Sequence, residues 1–174
     1  MRIVPVTPDL VPALSELAAA TFTETFGYLF TAEDLGAFIN QSYAHDVLLK
    51  VTQHSGDFWR LAFSEAGEPV GYLHVTSVQL PHETANASKD GELKRLYVRR
   101  SNHGRGLGRQ LMDIAVAHLD HAFPTGAHWI SVWNKNEKAI KLYGQYGFQK
   151  AGEYYFNVGS ASNLMFILRR EMGG

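Results

Sequence analysis

No cysteine occurs anywhere in the 174 residues. Its absence excludes disulfides, thiol nucleophiles, thiolate zinc sites and iron–sulfur clusters together, and gives no sign of an oxidising compartment. Long apolar runs are missing as well: nothing approaches the roughly 18 consecutive apolar residues of a membrane-spanning helix. Pro5, Pro8 and Asp9 interrupt the stretch where a signal peptide would need its apolar segment. Nor is there an excess of positive charge, since 16 Lys plus Arg stand against 17 Asp plus Glu, a formal net charge of -1. A dedicated nucleic-acid binder needs a basic surplus, so that class is excluded. What the chain does have is a core: 45% of its residues are hydrophobic and 12% aromatic, enough to rule out wholesale disorder. Residues 1–174 are read as a single domain, soluble and cytoplasmic, with no membrane partner.

Met1 to Val6 alternates weakly and suits an edge strand. Thr7 and Pro8 read as a helix cap with proline in the first turn, and Leu10, Leu14, Leu17 and Ala18 recur at helical spacing to an end near Phe22. Thr31 and Asp34 form a capping-box pair ahead of Leu35, Phe38 and Ile39. Phe58–Ser64 and Val70–Val78 are strand-like runs joined by the turn-forming EAGEP at 65–69. After a polar loop come a strand over Glu92–Val98, a glycine-rich turn, and a helix from about Leu107 to His121 with Leu111, Ile114, Ala115 and His118 on its inner stripe. A strand at His128–Val132, a helix from Asn136 to Tyr146, and closing strands near Lys150–Val158 and Asn163–Arg169 complete a mixed α/β order.

The segment NHGRGLGRQL at 102–111 lies between an apolar strand and an amphipathic helix. Gly104, Gly106 and Gly108 let the backbone approach a ligand, and the first free N–H groups of the helix suit a pyrophosphate, with Arg100, Arg105 and Arg109 adding charge. A plain strand-to-helix turn that needs glycine explains the same residues. A P-loop does not, because the spacing, the Lys and the hydroxyl are absent; a dinucleotide fingerprint fails on spacing and on the missing acid.

Aligned as His103, Gly104, Arg105, Gly106, Leu107, Gly108, this segment resembles the Q/R-x-x-G-x-G/A motif of the GCN5-related N-acetyltransferase (GNAT) family, with His103 departing from Gln or Arg. VWNKNEKAIKLYGQYGF at 132–148 resembles the family's N-x-x-A-x-x-L-Y-x-x-x-G-F region through Asn136, Ala139, Leu142, Tyr143, Gly147 and Phe148. ATFTETF at 20–26, GYL at 71–73 and ELKRLYV at 92–98 further resemble the PaiA-like spermine/spermidine acetyltransferases, although the last strand is preceded by GSASNLMFIL at 159–168, without a carboxylate. The resemblance implies a mixed α+β fold whose central, mostly antiparallel twisted sheet of about seven strands is flanked by helices. It also implies acetyl-CoA as cosubstrate, held by Leu96, Tyr97, Val98, His103, Gly104, Arg105, Gly106, Leu107, Gly108, Arg109 and Asn136. Its partner would be a small-molecule amine, and a homodimer is compatible with it.

Direct attack by an amine requires its neutral form, which at pH 7 costs about 4.6 kcal/mol from an ammonium near pKa 10.4. The resemblance points to Glu92 as the base, although a carboxylate there could equally be a solvated strand end facing Lys94. Tyr143 would meet the leaving CoA sulfur; a phenol of ordinary pKa makes full proton transfer uphill by about 2 kcal/mol, so the hydroxyl would mainly stabilise charge. Otherwise it is an aromatic on the buried stripe with Ala139 and Leu142. Asn136 caps its helix in either case. Leu93, Leu96 and Val98 are out of strict alternation, which predicts a β-bulge near Lys94 or Arg95 that splays this strand from the one at 128–132.

For the acceptor, Glu24, Glu33 and Asp34 would attract a polyamine, or else serve as cap and surface residues. His118 and His121 lack a third ligand, HETAN at 82–86 lacks the second His of a zinc motif, and Trp129 and Trp133 suit core packing; no metal is expected. A non-catalytic acyl-CoA-binding sensor is the alternative to an enzyme.

Overall fold

The structure, a computed structural model, describes residues 1–172. Its elements are β1 (Arg2–Pro5), α1 (Val11–Phe26), α2 (Ala32–Tyr43), α3 (His45–Thr52), β2 (Phe58–Phe63), β3 (Pro69–Ser77), β4 (Gly91–Val98), α4 (Leu107–Ala122), β5 (His128–Trp133), α5 (Glu137–Gln145), β6 (Gln149–Val158) and β7 (Ala161–Arg170). The strands form one sheet of seven in the order β1-β2-β3-β4-β5-β7-β6. Every neighbouring pair is antiparallel except β4 and β5.

Alternation along the central strands decides which helices cover which face. Leu61 and Tyr72 point into a core shared with Val11, Leu14 and Leu17 of α1 and Leu48 of α3. Their neighbours Ala62 and Leu73 point the other way, into a core with Leu107, Leu111 and Ala115 of α4 and Tyr143 of α5. β3 is therefore buried on both faces. At Gly71 a Cβ would meet Leu107 and Leu111 side chains at 3.2 and 3.3 Å, so glycine brings α4 close over the sheet.

Two helices differ from the sequence pattern. α1 runs four residues beyond Phe22, to Phe26, because nothing in TETF breaks it and the threonine hydroxyls bond back into the helix: Thr23 donates to the Ala19 carbonyl and Thr25 to that of Thr21, each at 2.8 Å. Thr7 caps nothing with its side chain; the Leu10 N–H bonds to its carbonyl, closing a 3₁₀ turn ahead of α1. On α4 the deeply buried residues are Leu107, Leu111, Met112, Ala115 and Leu119, while His118 stacks on Phe58 with ring centres 3.7 Å apart. Among the described residues no helix is long and apolar enough to cross a membrane.

Candidate active site

The geometry of the site begins at one residue. Opposite β3, His74 faces Arg95 and Val75 faces Leu93, which leaves Lys94 as an extra residue in β4. This is the bulge that the Leu93–Leu96–Val98 spacing requires. Its consequence appears on the other edge of β4, where pairing with β5 covers only Gly91–Leu93 against His128–Ile130. Beyond Ile130, β5 continues with β7 through Trp133 opposite Met165. From Lys94 to Val98 the β5-facing edge of β4 therefore has no strand partner, and backbone amides left unpaired in a cleft need a ligand or water.

A cleft of about 480 Å³ fills the gap. One wall is Leu96, Tyr97 and Val98, the other Val132, Trp133 and Tyr143. At its end lies the glycine turn, where His103, Gly104, Gly106, Leu107 and Gly108 all face the cleft. Gly104 and Gly106 have φ of +76° and +80°, the left-handed region that favours glycine. Gly108 has no such requirement, and a Cβ at any of the three would meet no protein atom within 4 Å. The turn thus leaves free space over the first N–H groups of α4, which fits a phosphate group.

His103 uses its side chain at home, its Nε2–H donating to the Val98 carbonyl at 2.8 Å and tying the turn to the end of β4. Asn136 lines the cleft while its Oδ1 accepts the Ala139 N–H at 3.2 Å, capping α5. Arg105 and Arg109 do not line the cleft; Arg109 is engaged with the Gln145 amide oxygen at 2.5 Å. In their place Lys138, in the first turn of α5, reaches the cleft. Trp133, which the sequence suggests as core, is a cleft wall met edge-on by Phe26 at 5.9 Å. Neither has a sequence signal beyond its place beside Asn136.

A second cavity of about 320 Å³ lies on the other side of β4. It meets the first at Phe26, Lys94, Arg95, Tyr97, Ser131 and Met165, which line both. Glu92 lines it, only 3% exposed. Burial raises the Glu92 carboxyl above the ordinary carboxylate value, opposed by the Gln79 N–H and the charges of Lys94 and Arg95; the Gln79 N–H donates to Glu92 Oε2 at 2.7 Å. Tyr143 lines only the first cleft, and burial pushes its hydroxyl up to about 12. The two groups thus stand in adjoining chambers, one a carboxylate with raised proton affinity and the other a phenol held neutral.

The three acidic residues assigned to the acceptor are not brought together. Glu24 accepts from Arg99 Nη1 at 3.0 Å and from the Arg100 N–H at 2.9 Å. Partial burial pushes its carboxyl up, but those bonds and the arginine charges outweigh it and hold it below the ordinary value. Glu24 therefore clamps the end of β4. Glu33 is exposed, and Asp34, whose N–H bonds to Thr31 Oγ1 at 3.1 Å, packs its carboxyl against Gly159 in the β6–β7 turn. None of the three lines either cavity. Among the described residues no three His, Asp or Glu side chains gather in a way that could hold a metal ion.

Comparisons with known proteins agree with this architecture. An uncharacterized N-acetyltransferase of Lactobacillus delbrueckii subsp. lactis is 27% identical over 99% of this chain and 98% of its own length. Spermine/spermidine N(1)-acetyltransferase of Bacillus subtilis is 32% identical over 65 residues, 37% of this chain and 43% of that protein. The crystal structure of the PaiA N-acetyltransferase from Thermoplasma acidophilum in complex with coenzyme A superposes with a TM-score of 0.74 at 17% identity, covering 98% of this chain and 99% of the other. The model of the acetyltransferase (GNAT) family matches residues 12–148, and the chain accordingly belongs to that family of acetyl-CoA-dependent acyltransferases.

Proposed function

We propose that the protein transfers the acetyl group of acetyl-CoA to a primary amine, with acetyl-CoA lying in the splay between β4 and β5 and the amine entering from the second cavity. The observation that carries the reading is the meeting of the two chambers across β4, with Glu92 on one side and Tyr143 on the other. Bound there, acetyl-CoA supplies an activated acetyl group, and the unpaired backbone of Lys94–Val98 and the turn at Gly104–Gly108 hold its chain and phosphates. The amine nitrogen forms a bond to the acetyl carbon as the carbon–sulfur bond breaks; one amine proton leaves toward Glu92, and the sulfur departs as thiolate beside Tyr143.

The proton affinities support these roles. Burial raises the carboxylate, and the same apolar surroundings lower an ammonium that enters them, so the gap of about six units narrows from both ends. Tyr143 is pushed up to about 12, so giving its proton outright to a thiolate near 8.5 would cost about 5 kcal/mol. Its part is a hydrogen bond to the developing charge. A sensor that only binds acyl-CoA has no use for a second chamber holding a buried carboxylate.

The B. subtilis relative's name supports a polyamine as the acceptor. The geometry around Glu24, Glu33 and Asp34 does not, since those carboxylates stand outside both cavities. Incubation with acetyl-CoA and a panel of primary amines, following free thiol, tests the transfer; acetyl-CoA binding without thiol release for any amine would overturn it in favour of the sensor.

A further inference from the structure

The second cavity holds a charge that the transfer itself does not use. Glu92, Lys94 and Arg95 line it. Glu92 accepts the Gln79 N–H, and Lys94 donates to the Gln79 amide oxygen. Arg95 stands apart. It is half-buried, and its guanidinium carbon lies 5.3 Å from the centre of the Tyr43 ring and 5.7 Å from that of Trp59. The ring faces fix its position but bring no counter-charge.

Among the described residues Arg95 forms no ion pair; Asp57 is committed to His74 and Thr76, and Glu92, in the same cavity, to the Gln79 N–H. A guanidinium offers five N–H donors in a planar fork matched to a carboxylate. Held in a cavity whose one acid, Glu92, forms no ion pair with it and instead accepts the Gln79 N–H, it is a site for a carboxylate brought by a ligand. The remaining walls say what body that ligand has. Phe38 lies 4.5 Å from Phe22 and 5.6 Å from Phe156, centre to centre, and all three line the cavity.

We propose that the acceptor is a primary amine on an aromatic or apolar body that also carries a carboxylate, received by Arg95 while the amine faces Glu92. This rests on the transfer reading and narrows its acceptor; the bonds made and broken are those given above. A polyamine would instead bring further ammonium groups beside Lys94 and Arg95, with Glu92 the only carboxylate among the cavity's lining residues.

Matched amines test it on the full chain at saturating acetyl-CoA. The panel sets phenylalanine against phenethylamine and methionine against 3-(methylthio)propylamine, each pair differing only in the carboxylate, with spermidine as the polycation. The acidic member of each pair is expected to show kcat/KM at least about 10-fold above its partner, equal to about 1.4 kcal/mol, and above spermidine. Arg95→Gln should bring the ratio within about 2-fold of unity, and Arg95→Lys, which keeps the charge and loses the fork, should leave an intermediate ratio. Because the ratio is read within each variant, general damage lowers both members together and does not imitate the result. Preference for spermidine or for the decarboxylated amines overturns the inference and leaves acetyl transfer standing. So does a ratio that Arg95→Gln leaves unchanged, with or without a raised KM for acetyl-CoA, since the guanidinium then serves the cosubstrate or the fold. Failure of every amine to release thiol overturns the transfer reading, and this inference with it.

Discussion

Tyr143 and Glu92 are both moved by burial toward their protonated forms, and the proposed transfer would put this to opposite uses: one would stay protonated to donate a hydrogen bond, the other would lose its proton before it could accept one. Tyr143→Phe keeps the ring in its core position and removes only the hydroxyl. Its kcat should fall by roughly 10²-fold while the acetyl-CoA dissociation constant, measured by calorimetry, stays within about 2-fold. An undiminished kcat would return Tyr143 to the buried stripe with Ala139 and Leu142. Glu92 gives a pH prediction with a definite sign. Because its carboxyl is raised, it is still protonated at pH values where an ordinary glutamate is ionised, so kcat/KM should climb through an acidic limb lying above about 4.5. Glu92→Gln can still accept the Gln79 N–H; it should lower kcat/KM throughout and erase that limb, leaving only the rise from the amine's own ionisation. A limb that survives the substitution would place the titrating group elsewhere.

At the scale of elements, the β2–β3 hairpin carries a polar cluster inside the sheet. His74, 3% exposed, bonds through Nε2 to Asp57 Oδ2 at 3.1 Å, and the Thr76 hydroxyl donates to Asp57 Oδ1 at 2.6 Å. Burial takes the His74 imidazole down to about 4, and the bonds from His74 and Thr76 hold the Asp57 carboxyl below its ordinary value despite its own burial. Both shifts act in one direction. As pH falls from about 6.5 toward 4 the unfolded chain takes up a proton that folded His74 refuses, and stability drops by as much as about 3 kcal/mol. Denaturant midpoints measured from pH 7 to 4.5 should show this fall, and His74→Gln, which keeps a donor for Asp57, should flatten it; an equal slope in both proteins would assign the loss to other groups. The cluster was not legible in the sequence, since His74 and Asp57 stand 17 positions apart and only the sheet joins them. Local signals fared better. Leu93, Leu96 and Val98 implied the bulge, Asn136 the start of α5, and Gly106 that of α4, because each is settled by backbone conformation within a few residues. Glu24 fails for the converse reason: its partners on Arg99 and Arg100 lie at least 75 positions away, and no spacing rule distinguishes a carboxylate bound for an ion pair from one left for a ligand.

The molecule as a whole is a sheet divided along one line: β4 parts from β5 after Leu93 and Ile130, with α1 to α3 packed on one face and α4 and α5 on the other. A ligand lying in the splay replaces the missing ladder and joins β4, the turn before α4 and the start of α5, elements otherwise linked there by few backbone bonds. Binding that favours only the folded state stabilises it by about 2.7 kcal/mol at a ligand concentration 100 times the dissociation constant. For a chain of this size that corresponds to a rise in Tm of roughly 5–10 °C. Gly108 offers the cleaner variant for testing whether the phosphate end carries this gain. At Gly106 the left-handed φ of +80° would strain any branched side chain, so a lost ligand effect there could reflect the turn itself. Gly108 lies inside α4 with nothing within 4 Å of its missing Cβ, and valine has a helix propensity no worse than glycine's. Gly108→Val should therefore leave the Tm of the free protein unchanged or slightly higher while abolishing most of the rise caused by coenzyme A. Loss of stability in the free variant would show that the turn is tighter than its geometry indicates. A full ligand-induced rise would show that the phosphates bind away from α4, and the space over Gly108 would then be no more than the clearance of a strand-to-helix turn.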